Sequence, residues 1–78
     1  MISQFDAFRL GHRDATRLIR RGFEPAEISP RTAEAMRPRL SVGVGSVGAY
    51  LNGWGDGRRG DTFRLEAIAE CEAQGLRF

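Results

Sequence analysis

Lysine is absent from this 78-residue chain, so all twelve basic residues are arginine. Histidine, cysteine, tryptophan and tyrosine occur once each. A single cysteine, Cys71, excludes an internal disulfide, and with only His12 beside it no zinc-type ligand set can be assembled. No metal and no cofactor are therefore expected. No apolar run approaches the roughly 18 residues of a membrane span. The opening MISQFDAF has no basic stretch leading into an apolar one, so a secretory signal is not expected either. Together these absences point to a reducing, cytoplasmic setting.

Enzyme constellations are missing too. The glycine-rich centre lacks the Lys-Ser or Lys-Thr ending of a phosphate-cradling loop. Asp56, Asp61, Glu66 and Glu70 are accounted for as solvated loop and helix positions, and His12 as a partly buried structural residue. Arg59-Gly60-Asp61 spells an adhesion tripeptide, but a loop followed by a helix cap explains it. A non-enzyme is expected.

What is present is one small domain, residues 1–78. A chain of this length buries only about 60–65% of its unfolded surface, and pairing as a homodimer is one way to extend so thin a core. Residues 1–39 carry eight arginines against five acids, whereas residues 61–78 carry two against four. The N-terminal half is thus the better face for an acidic partner. Arginine reads phosphates and base edges with a planar, two-pronged fork, although a GC-rich genome gives the same bias.

The first helix is signalled by Ser3 as cap with Asp6 three residues on. Phe5, Phe8, Ala15 and Ile19 share one face. Gly22 suits the left-handed position that ends a helix, with Phe23 folding back on Leu18. Arg9, Arg13, Arg17 and Arg20 form a stripe beside the apolar face. A short second helix starts at Ser29-Pro30 and stops before Pro38. The last helix is capped by Asp61, carries an apolar arc of Phe63, Leu65, Ala67, Ile68 and Cys71, and ends at Gly75 with Leu76 packing back.

The centre, LSVGVGSVGAYLNG, supports two readings. In one, a turn at 41–43 leads into a helix over about 44–52, with Val47 and Tyr50 or Leu51 toward the core. Gly53, Gly55, Gly57 and Gly60 then form a loop with Arg58 and Arg59 at its tip. In the other, Val42 and Val44, then Val47, Ala49 and Leu51, alternate as strands, and Asn52-Gly53 makes a tight turn. The first gives a mainly α domain of four short helices; the second an α+β domain with a small antiparallel hairpin at 40–58. Gly45 and Gly48 each cost a helix about 1 kcal/mol relative to alanine.

Leu40, Val42, Ser46, Val47, Tyr50, Leu51, Asn52 and Gly53 follow a Leu-x-Val turn, a Ser-Val step and a Tyr-Leu-Asn-Gly end. In this the chain resembles the repressor-like helix-turn-helix regulators, including small anti-CRISPR-associated repressors of phage. The likeness runs from about residue 28 to 73. It implies a DNA-binding transcriptional regulator whose second and third helices form the reading pair. Arg31, Arg58 and Arg59 would contact phosphates, and Asn52 with Ser46 would approach base edges. The chain departs from the pattern at Arg37-Pro38, where a small residue is usual, and at Ser41, where glycine is usual.

Other functions fit the same letters. A phage-encoded, anti-CRISPR-like inhibitor would block a host nucleic-acid-targeting protein complex through a Trp54–Arg59 loop, where an aromatic and two arginines suit an interface. Alternatively, Trp54 completes the core. A module that only self-assembles is a third option.

Overall fold

The computed structural model describes residues 3–37 and 44–76, with the side chain of Val44 outside that description. Among these residues the fold is all helical. It comprises α1 (Gln4–Arg20), a single 3-10 turn (Pro25–Glu27), α2 (Pro30–Met36), α3 (Val44–Arg59) and α4 (Phe63–Ala73). No strand occurs among the described residues, so the hairpin alternative fails. The part of it at 40–43, with the proposed turn at 41–43, lies outside them.

Local signals set the helix ends. The Ser3 hydroxyl accepts the Asp6 amide at 3.0 Å, satisfying one of the free donors of the first turn. The Asp6 carboxylate turns to Arg9 instead. Gly22, at φ 101°, ends α1 in the left-handed region, and the Phe23 amide reaches back to the Leu18 carbonyl at 3.2 Å. Gly75, at φ 85°, does the same for α4, with Leu76 bonded back to Cys71 at 3.0 Å. Ser29 and Pro30 open α2 as expected, although the Ser29 hydroxyl makes no capping bond. Thr62 is the boundary residue of α4, yet the Asp61 carboxylate accepts the Phe63 amide at 2.9 Å and so supplies the cap.

The third helix is longer than its letters suggest. It continues past Asn52 through Gly53, Gly55 and Gly57, residues expected in a loop, and ends at Arg59. Packing against α1 is the reason. Ala7, Gly11 and Ala15 recur every fourth residue on α1, and Gly45, Ala49, Gly53 and Gly57 do so on α3. These rows let the two main chains nearly touch. A methyl group at Gly11 would collide with the Tyr50 carbonyl, at Gly53 with the Phe8 carbonyl, and at Gly57 with the His12 carbonyl. The propensity cost of glycine is offset by backbone contact along most of α3.

The core forms around this seam. Ala7, Ala15, Leu18, Ile28, Ala33, Tyr50 and Trp54 are buried together. Trp54 is 1% exposed, and its indole N–H donates to the Ile28 carbonyl at 2.8 Å, fixing the segment before α2. Tyr50 donates its hydroxyl to Asp14 at 2.7 Å. Burial and this bond push the Tyr50 phenol well above its ordinary range. The fourth helix is peripheral: Ile68 is its only buried residue, and Phe63, expected on its apolar face, is 75% exposed.

Candidate nucleic-acid interface

Twelve arginines give this chain its basic character, and ion pairing sorts them. Arg9 grips Glu72 with two bonds and Asp6 with a third. Arg13 pairs with Asp14 at 3.2 Å and Arg37 with Glu34 at 3.3 Å. Arg59 and Arg64 converge on the fully buried Asp56. Among the described residues, Arg17, Arg20, Arg21, Arg31 and Arg58 have no carboxylate partner.

Three of those five border one surface. Arg17 and Arg20, spaced along the same side of α1, line a depression with His12, Arg13 and Thr16. A second depression shares His12, Thr16 and Arg20 with it and runs on to Arg58 and Arg59 at the end of α3. Arg58 is held there by its Nε, which donates to the Pro25 carbonyl at 2.6 Å. With Arg9 turned to Glu72, the C-terminal part of the stripe (Arg13, Arg17 and Arg20) and the Arg58-Arg59 pair, far apart in sequence, thus form one basic face. Its assembly depends on α3 continuing as helix through Gly53 and Gly57, which brings Arg58 alongside α1.

Hydrogen bonds stiffen the floor of this face. The Nε2 of His12 lies 2.8 Å from the Asp61 carbonyl, which can only accept, so Nε2 carries the proton. Nδ1 is then free to accept from the Thr16 hydroxyl at 3.4 Å. Asp56 anchors the neighbouring corner. Arg64 donates to its two oxygens at 2.8 and 2.6 Å, and Arg59 adds a third bond at 2.6 Å. The Arg64 bonds hold the Asp56 carboxyl below the usual carboxylate range, against the opposing effect of burial. The Arg64 guanidinium also sits 5.4 Å from the ring centre of Phe8, so one side chain ties α4 to both α3 and α1.

The expected site residues scatter. Arg31 is exposed on α2, and Asn52 is exposed on α3. Ser46, expected at base edges, is 5% exposed and turned into the protein, because it occupies the inward face of α3. Trp54 is in the core, so the loop surface from Trp54 to Arg59 does not exist: those residues are the last turns of α3. Arg58 and Arg59 are on a helix end rather than a loop tip, and they alone of the six meet in one place. The outward positions of α3 include Gly48, Asn52, Gly55 and Arg59, an almost bare face.

On another side, Phe5, Phe8, Ala49, Ala67, Ile68 and Cys71 line an apolar groove of about 360 Å³ between α4 and the α1–α3 pair. Cys71 is half-buried there, in keeping with a small packing residue. No group of His, Cys, Asp or Glu that could hold a metal ion occurs among the described residues, and no described helix is long and apolar enough to cross a membrane.

No protein-family model matches this chain, and no curated protein or solved structure matches it significantly.

Proposed function

We propose that this protein is a small, cytoplasmic DNA-binding regulator that holds DNA chiefly through its phosphates. The observation carrying this reading is the gathering of Arg17, Arg20 and Arg58, none with a carboxylate partner among the described residues, on one face flanked by Arg13 and Arg59. Leaving cations uncompensated on one surface is unfavourable in isolation and is relieved by a polyanion. In the helix-turn-helix resemblance α3 would be the reading helix. Its outward face offers Asn52 as the one uncommitted base-edge reader, but Asn52 borders the groove beside α4 and not the arginine face. Affinity then comes from the backbone, and sequence preference from DNA shape.

Salt titration of duplex binding tests this. Three to four phosphate contacts give a slope of log affinity against log salt of about −3 to −4. R17E/R20E lowers both the affinity and the slope. Binding that ignores salt, or that survives R17E/R20E unchanged, rules the reading out.

The apolar groove beside α4, with Phe63 exposed at the start of that helix, favours a second reading: an inhibitor docking on a host nucleic-acid-targeting complex. The variant A67R separates the two. Ala67 is exposed at that groove and away from the arginine face. Loss of inhibition in A67R but not in R17E/R20E favours the inhibitor; the reverse pattern favours the DNA-binding protein.

A further inference from the structure

The depression at the end of α3 has a more apolar lining than the one along α1. It encloses about 430 Å³, and its exposed lining is mostly apolar. Ile19, Pro25, Gly57 and Gly60 line it together with Arg20, Arg58 and Arg59, and Gly57 is buried at its base. A phosphate gains nothing from an apolar floor. A nucleobase does, because it has apolar faces and polar edges.

We infer that this slot takes one unstacked base of a single-stranded DNA segment whose phosphates run along Arg17 and Arg20. The inference rests on the phosphate-binding part of the reading above and moves its target from duplex DNA to exposed single strands. Guanidinium planes stack on bases, and such stacking tolerates any sequence. Two of the three bordering arginines are already tethered, Arg58 to the Pro25 carbonyl and Arg59 to buried Asp56, each at 2.6 Å. Less side-chain freedom is lost when a base arrives. Thr16 and Thr62 line the same slot; their hydroxyl protons are directed to His12 Nδ1 and the Glu66 carboxylate, which leaves their oxygens as acceptors for a base edge. Phosphate positions lie directly beside it, since His12, Thr16 and Arg20 belong to both depressions. In a closed duplex the bases are stacked and paired, so filling the slot would first require flipping one out.

Fluorescence anisotropy with three probes decides the matter: an oligothymidylate, an abasic strand of equal length and charge, and a duplex of the same length. The oligothymidylate is expected to bind about tenfold tighter than the abasic strand. Ring-current shifts should appear at the Ile19 methyls and the Gly60 amide with the oligothymidylate alone. Equal affinity for the base-bearing and abasic strands overturns the slot while leaving the phosphate-binding reading intact. Tighter binding of the duplex than of the oligothymidylate also overturns the slot. Failure to bind any probe at low salt overturns both. T62L narrows the slot without touching an arginine; Thr62 makes no capping bond to the backbone of α4, and the change removes only the 3.4 Å bond from its hydroxyl to the exposed Glu66 carboxylate. It should erase the preference for the base-bearing strand while leaving abasic-strand affinity as in the wild type. A preference that persists in T62L counts against the slot.

Discussion

No methyl group fits between Gly53 and the Phe8 carbonyl: one placed on Gly53 would also press on the Phe8 carbonyl carbon and the His12 amide. Gly48, five residues earlier on the same helix, has nothing within 4 Å of the corresponding position. Two glycines of one helix therefore have opposite roles, the first a contact and the second only a weak helix former.

Alanine distinguishes them. G53A forces α1 and α3 apart and costs about 3 kcal/mol, at the upper end of overpacking effects. G48A stabilises by about 1 kcal/mol through helix propensity alone. In a domain of this size each kcal/mol moves the melting temperature by about 4–8 °C. Circular-dichroism melts of both variants suffice, and equal shifts would contradict the close seam.

Asp56 links α4 to α3 through Arg64, with Arg59 beside it. D56N removes the charge from a fully buried carboxylate, but both guanidinium groups are at least half in solvent, which limits the loss to about 2 kcal/mol. Because pairing lowers the folded-state pKa, the stabilisation is present above about pH 4 and is lost as pH falls through the depressed value. Melting curves of wild type and D56N should differ at neutral pH and converge in acid. Amide exchange in α4 should be faster in D56N at neutral pH.

The Trp54 indole N–H is the donor to a buried carbonyl of Ile28. W54F keeps an aromatic ring but strands that carbonyl, at a cost of about 1–3 kcal/mol before any packing loss. Urea midpoints followed by circular dichroism measure it. In the wild type, emission from this single tryptophan should shift to the red on unfolding.

Tyr50 should resist ionisation. Its folded-state pKa is raised, so the stability it contributes is complete below about pH 10 and declines as pH rises beyond that, toward the raised value. Phenolate absorbance should therefore appear together with alkaline unfolding and not ahead of it. A normal titration of the folded protein near pH 10 would mean that Tyr50 is neither buried nor bonded to Asp14 in solution. Y50F is expected to lose about 1 kcal/mol.

The first helix was legible because its signals are local: Ser3, the spacing of Phe8 and Ala15, and Gly22 each act within a turn or two. The centre allowed a helix or a hairpin, and Trp54 a core or a contact role; packing against α1 and the bond to Ile28 decided both, and neither signal is local. The true end of α3 was not legible from propensity, because Gly53, Gly55 and Gly57 are poor helix formers whose compensation lies on another helix. A usable sign was nevertheless present in the fourfold recurrence of small residues at 7, 11 and 15 and again at 45, 49, 53 and 57. The arginine stripe of α1 was visible as a stripe. Its meeting with Arg58 was not, since that depends on the length of α3. Phe63 misled because helical spacing says which residues share a face but not how far the neighbouring helix reaches.

The glycine seam also affects how this protein can change over generations. Its positions admit glycine and little else where two main chains meet, while most of α4 and the outer side of α3 face solvent and can drift. A distant relative should therefore be recognisable less by overall resemblance than by a ruler: a small residue at every fourth place on two helices, with a tryptophan directly after the third mark of the second.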